Sequence, residues 1–439
     1  MSDALPLPPR PNLEQYKKLS KDLQRACRSS EPGAIRDWAA HWVEAIARLQ
    51  AQEITPERRR QISHEARRIE ERWRKLKSAN GRSLRCTLVD AQFFVARAHG
   101  FASWPKFAKH VESMARASSP VLKFESAVDA IVGGDGAALE RLLLENPELA
   151  RARSTREHHS TLLHYVSANG VEDFRQRTPK NIVEIAKLLL AAGADVNAES
   201  EAYGGRSTTL ALTATSWHPE AAGLQLPLME LLLDHGATID GPGGGGAVNG
   251  CLHNGRGAAA EFLASRGAKL DLEGAAGVGR LDLVKTYFSP DGSLKPPATE
   301  KQKRDGFAWA CEFGKTNVVD FLLQRGIPLD ARLRNDGQTG LHWAALGGHS
   351  DTVKLLLERK APVDIKDQTY GGTPLGWALY AWGTRPDGMR HESYYAVVAQ
   401  LVSAGAVLDP WSEDDENRRI VAQKMRADPR MLAALRGVA

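Results

Sequence analysis

LHWAALGGHSDTVKLLLERKAPVD, residues 341–364, reads as a helix, a tight turn at a glycine pair, a second helix and an exit loop. Its second half recurs along the chain. TNVVDFLLQRGIPLD (316–330), VEIAKLLLAAGADVN (183–197), PLMELLLDHGATID (227–240) and AAAEFLASRGAKLD (258–271) share an apolar pair, a glycine-like stop and an exit Asp or Asn. Apolar residues at i, i+3, i+4 and i+7 make each an amphipathic helix, and the glycine ends it by accepting a positive φ. The first half recurs too, because tryptophans stand at 309, 343 and 377, 34 residues apart.

The start of the first helix carries a signature as well: TGLHWA (339–344), TLLHYV (161–166) and TPLGWA (373–378). With its period, this resembles the TPLHxA pattern of the ankyrin repeat over residues 120–410, including degenerate units that begin near Glu125, Gly246 and Leu272. The resemblance implies an all-α ankyrin-repeat solenoid of about seven repeats, some with inserted loops. It implies that His164 and His342 are structural, bonding to backbone and to the neighbouring repeat. It also implies that the next position faces a concave groove, where the units place Tyr165, Leu212, Gly250, Gly274, Trp309, Trp343 and Trp377.

A row of tryptophans beside two glycines has two readings. Missing side chains next to large ones leave a void, and an aromatic-walled concavity is the usual form of a ligand pocket. Alternatively the tryptophans are core and the glycines allow helices to approach closely. Glu312 lies one helical turn after Trp309 and shares its face. Desolvated there, it would act as a general acid or meet a cationic ligand; paired with an arginine or solvated, it would do neither.

Three units carry extra residues between their helices, at 169–181, 216–225 and 382–395. Such insertions map to one edge of a solenoid, where recognition residues concentrate, although surface decoration explains them equally simply. The candidates for ligand contact are therefore Tyr165, Asn169, Arg175, Trp217, His218, His253, Trp309, Glu312, Trp343, Trp377, Tyr380 and Trp382. No HExxH, GxSxG or HxE…PCxxC pattern is present, and GPGGGG (241–246) lacks the Lys-Ser/Thr of a phosphate loop, so no cofactor and no metal is expected.

Composition narrows the class. The chain has 439 residues, 42% hydrophobic and 25% charged, as in globular proteins, and its length exceeds one ordinary core unless the core is repetitive. No apolar run spans a membrane, and the first residues lack a secretory pattern. Four cysteines, Cys27, Cys86, Cys251 and Cys311, lie far apart without a CxxC pair, which argues against a disulfide framework and for a reducing cytoplasm.

Charge is uneven: residues 1–120 carry 23 Lys+Arg against 13 Asp+Glu, and the remainder 35 against 40. The first part reads as a basic helical domain, residues 1–118, ahead of a solenoid at 119–409 and a capping helix at 410–439. In ERRRQISHEARRIEERWRKLK the acidic residues interleave with the arginines, which favours a solvated, salt-bridged face over a nucleic-acid surface. The stretch LVDAQFFVARAHGFASWPKF (88–107) resembles a segment preceding the repeats in a group of bacterial ankyrin-repeat proteins. In it Phe101, Trp104 and Phe107 suit a turn that staples one helix to the next. The expectation is a binding protein for a peptide, a protein segment or a small ligand, with no membrane partner. The alternative is an enzyme with an enclosed Trp/Gly-lined pocket for a small hydrophobic or cationic substrate or a peptide.

Overall fold

The structure, a computed structural model, describes residues 4–8, 10–49, 53–79, 86–241, 246–334, 337–385, 391–408 and 416–438. The core of the 241–246 link and residues 386–390 of the third insert lie outside the described residues. The chain divides into two compact units, Met1–Thr238 and Ile239–Ala439.

The first unit opens with five helices: α1 (Leu13–Arg28), α2 (Ala34–Leu49), α3 (Pro56–Ala79), α4 (Leu88–Ala98) and α5 (Trp104–Met114). Local chemistry sets their starts. Asn12 caps α1 by accepting from the Glu14 N–H at 2.9 Å, and Thr87 and Asp90 close a reciprocal capping box on α4. The apolar faces meet in one core containing Trp38, Trp42, Trp73, Phe94, Phe101 and Phe107. Each such ring removes roughly 150–250 Å² from water, worth about 4–6 kcal/mol before entropy is charged against it. The staple expected between α4 and α5 is present: Phe101 and Phe107 are fully buried, and His99 stacks on Phe107 at 5.2 Å. On α3, Glu70 bridges Arg36 at 2.8 Å and Arg74 at 2.7 Å, so its arginines are interleaved with acids in space as in sequence.

The cysteine reading is overturned here. Cys27, at the end of α1, and Cys86, just before α4, form a disulfide with their Cα atoms 5.8 Å apart, across 59 residues. Packing of α1 against α4 brings them together, which residue spacing does not reveal. Cys251 and Cys311 are free and buried. With one pair oxidised, cysteine usage no longer argues for a reducing compartment.

Helical pairs follow in the same unit: α6 (Pro120–Gly133) with α7 (Gly136–Glu145), a 3₁₀ turn (Leu162–Ser167) with α8 (Ile182–Ala191), and α9 (Thr209–Thr215) with α11 (Gln225–Asp234), α10 (Trp217–Ala221) lying between the last two. The second unit continues the pattern with α12 (Ala247–His253), α13 (Gly257–Ser265), α14 (Leu272–Gly277), α15 (Leu281–Thr286), α16 (Glu300–Glu312), α17 (Thr316–Gln324), α18 (Gly340–Gly347), α19 (Ser350–Glu358), α20 (Pro374–Thr384) and α21 (His391–Ser403). Gly348, at φ 72°, turns the chain between α18 and α19. The only paired strands among the described residues are Glu199–Ser200 and Ser207–Thr208. This is the all-α, repeated helix–turn–helix fold expected of ankyrin repeats.

The signature histidines are structural, as their motif implies. His342 Nδ1 accepts from the Thr339 N–H at 3.1 Å, while Nε2–H donates to Gly372 O at 3.1 Å in the next repeat. His164 does the same with Thr161 and Ser207 O. Burial pushes both imidazoles down to about 4, so they are neutral locks.

The tail forms two helices rather than one, α22 (Glu416–Ala427) and α23 (Pro429–Ala434). Asp428 is extended before Pro429 and caps α23 through the Arg430 and Met431 N–H groups, which forces the break. Val421, Met431 and Ala434 join the core of the second unit. No described helix is long and apolar enough to cross a membrane.

Candidate binding site under Arg334

The 34-residue spacing places Trp309 on α16, Trp343 on α18 and Trp377 on α20, at equivalent positions of successive helices. Their ring centroids step 6.2 Å from Trp309 to Trp343 and 5.6 Å from Trp343 to Trp377. The stack is anchored at both ends. Trp309 Nε1–H donates to Glu273 Oε1 at 2.8 Å, and His253 Nε2–H donates to the same oxygen at 2.8 Å. Trp377 Nε1–H donates to Asp367 Oδ2 at 3.0 Å. Burial pushes the Asp367 carboxyl up, but N–H donors at Tyr370, Trp377, Gly372 and Thr369 outweigh it and hold the group below the usual range.

The tryptophans are more buried than a bare groove wall would be: Trp309 is 1% exposed and Trp343 8%. Their free side is covered by Arg334, whose guanidinium carbon lies 4.0 Å from the Trp309 centroid and 5.1 Å from that of Trp343. Arg334 is exposed, sits at φ 55° in the loop before α18, and forms no ion pair among the described residues. Beyond Trp377 the aromatic surface opens to solvent, with Tyr370 65% and Tyr380 41% exposed.

Glu312 lies beneath this surface with Oε2 buried and without a hydrogen-bond partner. Burial raises its carboxyl to about 7, against the pull of Arg334 and Arg385. It is therefore poised between neutral and charged near neutrality. The Trp343 indole N–H is likewise buried without an acceptor. With the Trp309 and Trp343 faces closed by Arg334, the groups this surface presents to solvent are the Arg334 guanidinium and the rings of Tyr370 and Tyr380.

The void beside Gly274 is filled. A Cβ on Gly274 would lie 2.9 Å from Asn249 Oδ1, so this glycine serves close helix approach. Asn249 in turn donates to Asp271 at 3.0 Å.

The candidates of the first unit serve other ends. Tyr165 does not face an open groove; it is fully buried, between Phe124 and His158, because its first helix is a 3₁₀ turn packed under α6. Arg175 is buried, and donates to Glu125 at 2.7 Å and Asp129 at 2.8 Å. Asn169 ties loop to helix, donating to Leu212 O and Thr215 Oγ1 and accepting from the Tyr203 hydroxyl at 2.6 Å. Trp217 is 54% exposed on α10, its ring 5.4 Å from that of His218. In the second unit Trp382 is buried in α20, its ring 6.5 Å from that of Tyr395. Thus His253, Trp309, Glu312, Trp343 and Trp377 belong to one neighbourhood, joined by Arg334, Glu273, Asp367 and Tyr370, which no periodicity marks, and Tyr380 stands exposed three residues after Trp377 on α20.

Comparison with known proteins agrees with this geometry where it is strongest. Residues 272–368 and 307–408 match a family model described as Ankyrin repeats (3 copies). A stretch of 54 residues is 39% identical to the 26S proteasome non-ATPase regulatory subunit 10 of Rattus norvegicus, covering 12% of this chain and 23% of that protein. A stretch of 52 residues is 40% identical to the protein of the same name from Mus musculus, covering 12% and 22%. The chain thus matches less than a quarter of the length of these curated relatives.

Proposed function

We propose, from the ankyrin repeats as premise, that this chain is a binding protein that holds an extended protein segment on the surface above the buried tryptophan stack, at Arg334, Tyr370 and Tyr380. The observation that carries the reading is Arg334: an exposed guanidinium that forms no ion pair among the described residues and is already ordered on two indole faces. Aromatic and arginine anchors of this kind dominate binding energy at protein interfaces. Its N–H groups suit a carboxylate, and the exposed rings of Tyr370 and Tyr380 suit a neighbouring apolar or aromatic residue. The ligand class is therefore an acidic segment with an adjacent aromatic or aliphatic side chain. The matched relatives are, by name, subunits of a protein assembly, which supports a protein as partner. The binding reading is supported over the enclosed-enzyme alternative at Gly274, where Asn249 Oδ1 lies 2.9 Å from the place of a Cβ.

Panning a random linear peptide library on the intact chain tests this. Selected peptides should share an acidic residue next to an apolar one and lose affinity on Arg334→Ala. Peptides that bind Arg334→Ala and Tyr380→Ala variants as well as the parent would move the site elsewhere.

A further inference from the structure

The first unit contains a cleft of about 980 Å³ that the repeat surface does not use. One side is apolar: Val43 and Ile46 of α2, Ile69 of α3, Val132 of α6, and Leu5 and Leu7 of the extended residues 4–8. That segment is fastened, for the Leu5 N–H donates to Ala98 O at 2.7 Å and His99 Nδ1–H donates to Leu5 O at 2.8 Å. The other side is charged. Arg58, Arg68 and Arg72 come from α3, with Glu65 on the same face, while Arg156, Arg175 and Arg177 come from the loops after α7.

The acids lining the cleft are largely committed. Glu65 pairs with Arg58 at 3.3 Å, and Glu125 with Arg156 at 3.0 Å and Arg175 at 2.7 Å; Asp129 takes the second arm of Arg175 at 2.8 Å. Cationic donors remain. Arg58 Nε and Arg175 Nε are buried without hydrogen-bond partners, and Arg175 is itself only 6% exposed. Arg177 is exposed at the cleft and forms no ion pair among the described residues. Buried N–H donors that lack acceptors cost about 1–3 kcal/mol each, so the cleft gains from an anion that accepts from them.

We propose that this cleft is a binding site for an amphipathic organic anion, its carboxylate or phosphate head held by Arg58, Arg175 and Arg177 and its apolar body lying along Val43, Ile46, Ile69 and Val132. The volume is at the upper end of small-ligand sites, and apolar walls with a few convergent polar groups are their usual lining. Arg177, exposed at the cleft and without an ion pair among the described residues, sets the sign of the head group.

Calorimetric titration of the full chain with decanoate and decyl phosphate, below their micelle concentrations, tests the proposal. Inorganic phosphate, decanol and decyltrimethylammonium serve as controls. Saturable binding of at least one decyl anion, roughly tenfold or more tighter than any control, is expected from charge-assisted hydrogen bonds. The stronger of the two anions names the head group. Arg177→Ala should weaken that anion roughly tenfold, and Arg177 is exposed, so folding is spared. Gly133→Leu should block the apolar body, since a Cβ there meets nothing within 4 Å. Equal binding of decyltrimethylammonium or inorganic phosphate would overturn the proposal, as would unaltered affinity in both variants with circular dichroism intact, or no saturable binding at all.

Discussion

The guanidinium of Arg334 lies 4.0 Å from the centroid of the Trp309 ring, held from solvent on one side only. An exposed cation on an indole face stabilises a fold by about 0.5–1 kcal/mol, so its removal should shift stability by less than about 1 kcal/mol. Among the described residues its N–H groups have no hydrogen-bond partner, so the cost should fall on binding instead. Arg334→Ala should weaken selected acidic peptides roughly tenfold or more while urea denaturation stays nearly superimposable. A large stability loss with unchanged peptide affinity would make Arg334 a structural strut.

Glu312 gives the repeat surface a pH dependence. Its carboxyl is raised by burial from 4.5 to about 7. Between those values the unfolded chain ionises first and the folded chain binds more protons, so stability falls as pH rises through that window and levels off above it. Glu312→Gln should remove this slope and stabilise the protein above pH 7 by about 1–3 kcal/mol, after discounting a partly solvated group, with little effect near pH 4. Denaturation midpoints measured from pH 4 to 8 on both proteins decide it; parallel curves would mean that Glu312 titrates normally.

Which features were legible follows from whether their physics is local. Thr339 and His342 lie three residues apart, so their lock on the next repeat is written in one motif. The stack of Trp309, Trp343 and Trp377 follows from a fixed period. Arg334 was not legible, because a loop residue that folds back over two indoles leaves no periodic trace. Tyr165 was misplaced for a related reason: its motif fixes the turn, but the charged cluster that closes over it comes from Glu125, Arg156, Glu172 and Arg175, on separate segments. The Cys27–Cys86 pair depends on α1 meeting α4, which spacing alone hides.

That charged cluster predicts acid lability. Burial pushes the Glu125 carboxyl up, but Arg156 and Arg175 overcome this and hold it below its ordinary value. Its contribution is present above pH 4.5 and is lost as pH falls below. Glu125→Gln removes the carboxylate that Arg156 and Arg175 share, leaving them only Glu172 and Asp129, and should destabilise the first unit by about 3–5 kcal/mol at pH 7. The deficit should shrink as the parent is acidified; a constant deficit would show that shape, not charge, matters at this position.

The disulfide is the remaining constraint on the first unit, and its effect should be read in the unfolded chain. Closing 59 residues between Cys27 and Cys86 restricts that ensemble, typically by 2–4 kcal/mol in stability (an order of magnitude of about 3). A paired Cys27→Ser and Cys86→Ser variant should unfold at lower urea by that amount, with the helical signal of the folded state retained. Thiol titration in denaturant without reductant should count the two free cysteines, Cys251 and Cys311, and rise to all four only after reduction. Four reactive thiols before reduction would show the pair to be open and restore the argument for a reducing compartment. An unchanged midpoint in the double serine variant would instead mean that packing of α1 on α4 already holds the two ends of the loop together.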